Sequence, residues 1–237
     1  MHALILAGGE GSRLRSDGVL TPKAFLELDG RPLLVRLTES LHGLGCESVT
    51  ALVRASVLDR AGALLLQGDP SAPRIVACET ASSLHTLARG LEVMPPGPVL
   101  CVMVDSVLRE HDWRELFARA ERLLRGGADA CVAVTPFVDD ERPLYVARHA
   151  AGAVAAFQEH PSAPALVTGG VYFLSTRVRT LVAPVLALGI ERMRGLLRWL
   201  VEHGYRIETA EVARIVDLDR SRDLAVATAW LSGSPAA

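Results

Sequence analysis

Short apolar runs alternate, along the first 135 residues, with segments whose apolar positions recur every three or four residues. The runs of strand length cover 3–7, 48–53, 74–77, 98–104 and 130–135. The segments with helical periodicity cover 32–44, 56–66, 82–92 and 111–125. Apolar strands that alternate with crossover helices are typical of a parallel sheet covered by helices on both faces. The pattern therefore predicts an α/β fold.

The alternation of predicted strands and helices ends after residue 135. Three short strands are predicted first, at 143–148, 153–158 and 167–174. Two helices follow, at 175–188 and 190–203. The last predicted elements are strands at 205–209 and 213–217 and a helix at 221–231. Without a repeat or a linker-like segment, the chain is predicted to form one domain, 1–237, with a mixed or antiparallel β extension in its second half.

The composition of the chain excludes or disfavours several classes of protein. Half of the residues are hydrophobic and the mean hydropathy is +0.28, which excludes a disordered chain. A net charge of −2 disfavours a nucleic-acid partner bound through a broad basic surface. No apolar run reaches the roughly 18 residues of a membrane span. The start, Met-His-Ala, lacks the basic region of a signal peptide. These features predict a cytoplasmic protein with neither a membrane nor a nucleic-acid partner.

The four cysteines support a reducing compartment. Cys46, Cys78, Cys101 and Cys131 are too far apart in the sequence for a typical metal site, and three of them lie in apolar, strand-like runs. We therefore expect buried free thiols.

A glycine-rich loop follows the first predicted strand and reads Leu6-Ala7-Gly8-Gly9-Glu10-Gly11-Ser12-Arg13-Leu14. Closely spaced glycines allow the backbone to approach a ligand, and successive N–H groups of such a loop can bind phosphates. Arg13 adds a forked donor for phosphate oxygens. Leu14 stands where a dinucleotide fingerprint needs glycine or alanine, and a Walker Gly-Lys-Ser/Thr is missing, which disfavours an oxidoreductase or a P-loop protein. A purely structural glycine turn is the alternative to a phosphate site.

Lys23 is the single lysine among 25 basic residues; the other 24 are arginines. Arginine stands wherever a positive charge suffices, so Lys23 is a candidate for a role that needs a compact ammonium group. It follows the rigid Pro22 and precedes a predicted strand, from where it could reach the mouth of the glycine loop. Chance survival of one lysine is the alternative.

Three motifs in this region resemble the start of the sugar nucleotidyltransferases, the nucleoside-diphosphate-sugar pyrophosphorylases. They are Gly-Gly-x-Gly-Ser-Arg-Leu at 8–14, Pro22-Lys23, and Gly-x-Pro-Leu-Leu at 30–34. The resemblance covers nearly the whole chain and suggests a short, single-domain member. It implies a Rossmann-like, mostly parallel sheet with helices on both faces and a mixed β extension. It also implies a nucleotide-binding half, 1–135, and an acceptor-binding half with the closing helices, 136–237.

The resemblance implies roles for individual residues of the first half. Arg13 and Lys23 would be catalytic, through contacts with the triphosphate. The nucleotide would also be bound by residues of the glycine loop and of a second loop at 79–83: Leu6, Ala7, Gly8, Gly9, Gly11, Ser12, Thr80 and Ser83.

Three aspartates are candidate ligands of Mg²⁺, the cofactor that the resemblance implies. Asp105 closes a buried strand, at the edge where α/β sheets bind ligands, and matches the first metal-binding aspartate of the family. Its alternative role is to cap a turn before Ser106. The second ligand would be Asp219 or Asp217. Because the two alternate along a predicted strand, we expect only one of them to face Asp105, with a slight preference for Asp219.

The acceptor side is implied by two further motifs. Phe157-Gln158-Glu159-His160-Pro161 looks like the Glu-Lys-Pro motif of the sugar-phosphate pocket, with His160 in place of lysine. Glu159 would accept hydrogen bonds from acceptor hydroxyls, whereas His160 could equally be a plain surface histidine. The strand Thr168-Gly169-Gly170-Val171-Tyr172 resembles the family's Thr-Gly-x-Tyr strand and places Gly170 at the acceptor. An arginine would then hold the acceptor phosphate: Arg142, Arg192 or Arg194.

The implied reaction transfers a nucleoside monophosphate from an NTP to a sugar 1-phosphate or a similar phosphorylated small molecule, with release of pyrophosphate. The expected protein is an Mg²⁺-dependent enzyme, monomeric or homodimeric. A catalytically idle, regulatory protein that binds nucleotide sugars is the alternative.

Overall fold

The computed structural model describes residues 1–65, 72–139, 141–150, 152–161 and 163–232. Its strands are β1 (His2–Ala7), β2 (Glu27–Leu28), β3 (Arg31–Pro32), β4 (Ser48–Val53), β5 (Arg74–Ala77), β6 (Val99–Met103), β7 (Ser106–Val107), β8 (Ala130–Thr135), β9 (Tyr145–Arg148), β10 (Val154–Gln158), β11 (Val167–Leu174), β12 (Ile207–Glu211) and β13 (Val216–Asp217). Its helices are α1 (Ser12–Ser16), α2 (Leu33–Gly43), α3 (Leu58–Leu65), α4 (Ser83–Val93), α5 (Glu110–Arg125), α6 (Thr176–Ala187), α7 (Met193–Glu202) and α8 (Ser221–Leu231).

The predicted elements all have a counterpart, although the strand at 213–217 shrinks to β13 and residue 66 of the helix at 56–66 lies outside the described residues. The glycine loop is shorter than expected, because α1 begins at Ser12. Lys23 does not directly precede a strand; it begins a 3-10 turn, Lys23–Phe25, ahead of the small β2–β3 hairpin.

One sheet runs through both halves of the chain. From one edge its strands are ordered β5-β4-β1-β6-β11-β8-β12, and β9 and β10 extend it beside β11. β5, β4, β1 and β6 are mutually parallel, whereas β11 is antiparallel to both β6 and β8. The parallel core and the mixed extension are therefore confirmed. The carboxyl ends of β1 and β6, paired at Leu6 and Met103, lie side by side at one edge of the sheet.

The sheet separates two layers of apolar packing. The apolar faces of α2, α5 and α8 lie in one layer, and those of α4, α6 and α7 in the other. Leu196, Leu197 and Leu200 of α7 are fully buried, so this helix face belongs to the core. All four cysteines are free and buried, as expected. No helix among the described residues is both long and apolar enough to cross a membrane.

Gly169 of β11 packs closely against Ile215, the residue before β13. A Cβ at this position would lie 2.3 Å from Cδ1 and 2.8 Å from Cβ of Ile215. Overpacking a buried contact typically costs about 1–3 kcal/mol. We therefore expect Gly169→Ala to lower the free energy of unfolding by that amount, measured by urea denaturation.

Gly43→Ala is the matched control for this prediction. It is the last residue of α2, and the nearest atom to a Cβ there is Oε1 of Glu110, at 3.9 Å. Alanine is also the better helix former, so this change should be neutral or slightly stabilising. Equal unfolding free energies for the two variants would contradict the packing argument.

Candidate active site

Three carboxylates meet at the carboxyl edge of the sheet. Asp105 is the second residue after the end of β6, and Asp217 ends β13, the strand that pairs with β7. A hydrogen bond of 3.1 Å from the backbone N–H of Leu218 to the carbonyl of Asp105 joins the two segments. Asp105, Asp217 and Asp219 each offer an oxygen, and these oxygens lie within 4.8 Å of one another. The cluster therefore combines a residue from the middle of the sequence with two from its last part.

The expectation that only one of Asp217 and Asp219 could face Asp105 is wrong. The strand ends at Asp217, and the chain then turns, with the N–H of Asp219 donating to the carbonyl of Asp217 at 3.1 Å. Strand alternation no longer applies beyond that point, and each of the two carboxylates has an oxygen within 4.8 Å of Asp105. Asp223 instead caps α8, its Oδ2 accepting from the N–H groups of Asp219 and Arg220 at 2.9 and 2.6 Å.

Two cations neutralise this cluster. The Nζ of Lys23 lies 2.5 Å from Oδ2 of Asp105 and 2.5 Å from Oδ1 of Asp219. The guanidinium of Arg13 binds the other oxygen of Asp219. Burial alone would lower the pKa of Lys23, but the two carboxylates outweigh it and hold that pKa above its usual value. Burial would likewise raise the pKa of Asp219, yet Lys23 and Arg13 hold it below its usual value. Lys23 and Asp219 are therefore both charged near neutral pH.

A first cavity, of about 310 Å³, opens above the glycine loop. Five residues expected at the nucleotide line it: Leu6, Gly8, Gly9, Thr80 and Ser83. The structure does not bring Ala7, Gly11 or Ser12 to its wall. Gly11 has a positive φ of 61° at the start of α1, and a Cβ there would lie 3.6 Å from Cγ of Lys23. The distance is an ordinary contact, so the positive φ is what favours glycine at this position.

Sequence reasoning missed Arg54, which also lines this cavity together with Glu10. Its guanidinium lies 3.2 Å from Oε1 of Glu10 and 3.5 Å from Oε2 of Glu79. Arg54 follows β4, the strand next to β1, so the general rule that ligands bind at the carboxyl ends of parallel strands could have found it.

A second cavity, of about 270 Å³, adjoins the first. Gly170 and Arg194 line it, as expected for acceptor residues, and so do Arg192 and the metal candidate Asp217. Gly170 has a φ of 72°, a conformation that favours glycine. The two cavities share Ser83 and Met103 in their walls.

Glu159 and His160 do not line this second cavity. Both are exposed on the segment that follows β10. Glu159 binds the guanidinium of Arg198 and lies 3.5 Å from Nη1 of Arg194. The hydrogen bond with Arg198 is the main cause that lowers the pKa of Glu159. The structure thus places Glu159 behind Arg194, and Arg194 at the cavity itself.

The profile of the MobA-like NTP transferase domain matches residues 3–176. The chain belongs to this family. The match spans the glycine loop, Lys23, Asp105 and the strand with Gly170, which confirms the resemblance stated from the motifs. Asp217, Asp219 and the arginines of α7 lie beyond the matched residues of this MobA-like NTP transferase.

Curated relatives match shorter segments of the MobA-like NTP transferase. The UTP–glucose-1-phosphate uridylyltransferase AglF of Haloferax volcanii is 40% identical over 53 residues, which are 22% of this chain and 22% of that protein. The mannose-1-phosphate guanylyltransferase catalytic subunit beta of Drosophila pseudoobscura pseudoobscura is 28% identical over 120 residues, 48% of this chain and 32% of that protein. The alignments thus cover between a fifth and a third of these two relatives' length.

Solved structures agree with the fold of the MobA-like NTP transferase. A putative glucose-1-phosphate thymidylyltransferase from Bacillus anthracis superposes with a TM-score of 0.83 at 17% identity, covering 100% of this chain and 97% of the other. The inositol-1-phosphate CTP transferase from T. maritima superposes with a TM-score of 0.78 at 16% identity, covering 99% and 98%. At such identities the similarity establishes the fold.

The carboxylate cluster of this MobA-like NTP transferase fits a hard divalent cation. Asp105, Asp217 and Asp219 supply the oxygen ligands that Mg²⁺ prefers. The ammonium group of Lys23 marks a position where two of these carboxylates already hold a positive charge. The donor set and its spacing are therefore compatible with one bound Mg²⁺.

Proposed function

We propose that the chain transfers a nucleoside monophosphate from an NTP to a sugar 1-phosphate or a similar phosphorylated acceptor, with release of pyrophosphate. The observation that carries this proposal is the junction of two cavities at Ser83 and Met103. One cavity is lined by the glycine loop, the other by Asp217 of the carboxylate cluster. Such an arrangement would hold a donor and an acceptor side by side.

The proposed step is an in-line displacement. An oxygen of the acceptor phosphate forms a bond to the α-phosphorus of the NTP while the bond between that phosphorus and the oxygen bridging to the β-phosphate breaks, and pyrophosphate leaves. No covalent intermediate with the protein is needed, so catalysis consists of positioning and charge neutralisation. Lys23 would neutralise charge at the α-phosphate, and Arg13 with the glycine loop would bind the β- and γ-phosphates.

Magnesium dependence belongs to this proposal. Bound Mg²⁺ would neutralise phosphate oxygens as charge develops on them. Asp105 would hold it together with Asp219, Asp217 or both, and Lys23 and Arg13 would turn from the carboxylates toward the triphosphate. We further propose a single nucleotidyltransferase domain that works in the cytoplasm as a monomer or homodimer, without nucleic-acid or membrane partners.

The test is pyrophosphate release from the full chain with each of four NTPs, Mg²⁺ and a panel of phosphorylated sugars. Release that requires both an NTP and an acceptor supports transfer. Tight nucleotide binding without release under any of these conditions would contradict it and would favour the regulatory alternative.

The position of Glu159 leads to a prediction about the acceptor alone. Glu159→Gln removes an exposed ion pair that holds Arg194, which faces the acceptor cavity. Exposed pairs contribute modestly, so we expect the acceptor KM to rise about two- to fivefold while the NTP KM stays unchanged. Steady-state kinetics with each substrate varied in turn measures both constants. An equal rise in the NTP KM would show that the cavity lined by Arg194 does not serve the acceptor alone.

A further inference from the structure

We propose that Glu141 and Arg220 are positioning residues of the triphosphate site: Glu141 orients Arg13, and Arg220 holds Glu141 and neutralises its charge. The inference rests on the proposed function, from which it takes the role of Arg13 at the β- and γ-phosphates. Neither residue lines one of the two cavities described above, so both would act through Arg13 and not on the substrate itself.

The carboxylate of Glu141 lies between two arginines. Its Oε1 accepts a hydrogen bond of 2.9 Å from Nε of Arg220 and lies 2.8 Å from Nη2 of the same side chain. Its Oε2 lies 3.7 Å from Nε of Arg13. Arg13 binds Asp219 through a different nitrogen, Nη1. Glu141 and Asp219 therefore hold Arg13 at two separate points of its guanidinium group.

The contact between Glu141 and Arg13 is compatible with a bound NTP. In the proposed reaction Arg13 turns from Asp219 toward the phosphates, which engages its terminal Nη atoms, while Nε remains beside Glu141. A guanidinium group held at one edge presents its other donors in a defined direction, and phosphate oxygens match that fork. Because fewer side-chain orientations are then lost on binding, the NTP binds more tightly.

Arg220 allows a carboxylate to stand next to an arginine that binds phosphates. Without a compensating charge, Glu141 would repel the triphosphate. Arg220 supplies that charge and is anchored in turn by Asp17, the residue after α1, whose Oδ1 lies 3.1 Å from its Nη1. The N–H of Ser221 donates to Asp17 at 3.1 Å and is the main cause that lowers the pKa of Asp17. The start of α8, the end of α1 and the segment before β9 are thus joined behind Arg13.

Variants that keep the charge test the orientation of Arg13 separately from the net charge of the site. Calorimetry would measure the Kd of the full chain for ATP, GTP, CTP and UTP, with Mg²⁺ and without an acceptor. Glu141→Asp shortens the carboxylate, and Arg220→Lys replaces a fork that spans two carboxylates by a single ammonium group. Each should raise the Kd of the tightest NTP about two- to fivefold, the modest effect of an exposed pair. In an Arg13→Met background neither change should raise it further.

Arg148→Lys is the matched control. Arg148 pairs with Glu211 at 3.1 Å, and their side chains are 26% and 42% exposed, close to the 29% and 43% of Arg220 and Glu141. This pair joins β9 to β12 and lines neither cavity. The control should therefore leave the Kd of the NTP unchanged.

Removal of charge tests the neutralisation of Glu141. Arg220→Gln should raise the Kd of the NTP about five- to twentyfold, within the range of coupling in ion-pair networks, because Glu141 is then uncompensated. Adding Glu141→Gln to the same chain should recover part of that loss, which a purely structural role of the pair would not produce. A double variant that binds no better than Arg220→Gln alone would overturn the neutralising role.

The inference and the proposed reaction fail separately. If no acceptor gives pyrophosphate release, but the losses of NTP affinity depend on Arg13 as described, the positioning role stands and the transfer reaction falls. If transfer occurs while Glu141→Asp and Arg220→Lys bind the NTP as the wild type does, the reaction stands and the inference is overturned. Losses that are equally large in the Arg13→Met background would overturn it as well.

Discussion

Lys23→Arg is expected to reduce turnover nearly as much as Lys23→Ala, by about two to three orders of magnitude, the usual cost of removing a group that stabilises transition-state charge. The ammonium group fits between Asp105 and Asp219, 2.5 Å from each, while Gly11 approaches the stem of the side chain. A guanidinium retains the charge but is wider and prefers a two-pronged contact. It would be displaced from the α-phosphorus.

The loss should appear mainly in kcat and less in NTP binding, because the interaction strengthens as charge develops. Pyrophosphate release measures kcat, and calorimetry with each NTP measures binding. Thermal unfolding must accompany both, since Lys23→Ala leaves Asp105 and Asp219 without their shared cation. Normal turnover of Lys23→Arg would show that the single lysine is an accident of composition.

Asp105→Asn should abolish pyrophosphate release that depends on Mg²⁺, with a loss of at least about two to three orders of magnitude. An amide cannot supply the negative charge that the cation needs, while it retains the shape of the side chain. The affinity of the ligand-free protein for Mn²⁺, measured by calorimetry, should fall in parallel. Activity close to that of the wild type in the presence of a chelator would contradict a metal role.

The same two measurements, pyrophosphate release and Mn²⁺ affinity, can be made for Asp217→Asn and Asp219→Asn. The larger loss of Mn²⁺ affinity identifies the stronger ligand, and similar losses would mean that both bind. Asp129→Asn is a matched control, because this buried aspartate binds Arg177 and the N–H of Arg206 just before β8, at the opposite edge of the sheet. It should lower stability without changing kcat.

The periodicity of apolar residues was sufficient to predict the sheet and its helices, because each long element carries its own apolar pattern. It could not predict the hairpin of β2 and β3, where Asp29 and Gly30 adopt positive φ values of 53° and 71° over a few residues. The motifs predicted which loops meet the ligand. They could not predict that the chain turns after Asp217 and so brings Asp219 into the carboxylate cluster. A turn after a two-residue strand is decided by tertiary contacts, here with β7.

Contacts between segments that are distant in the sequence could not be predicted either. Nothing around Glu159 indicates that its carboxylate binds Arg194 and Arg198 on α7 and stays outside the acceptor cavity. Arg142, Arg192 and Arg194 were three alternatives, and only the position of α7 beside the cavity favours Arg192 and Arg194. Such pairings depend on how helices pack on the sheet, which local patterns leave open.

The separation of Lys23 and Asp219, 196 residues apart, also bears on how the protein is made. At synthesis rates of about 5–20 residues per second, the ribosome needs roughly 10–40 s to reach Asp219 after it has added Lys23. During that interval the glycine loop, Lys23 and Asp105 can emerge and begin to fold without Asp217 and Asp219. A nascent chain therefore cannot complete its carboxylate cluster early, and a fragment cut after α6 would retain most of the sheet but lack two of the three carboxylates.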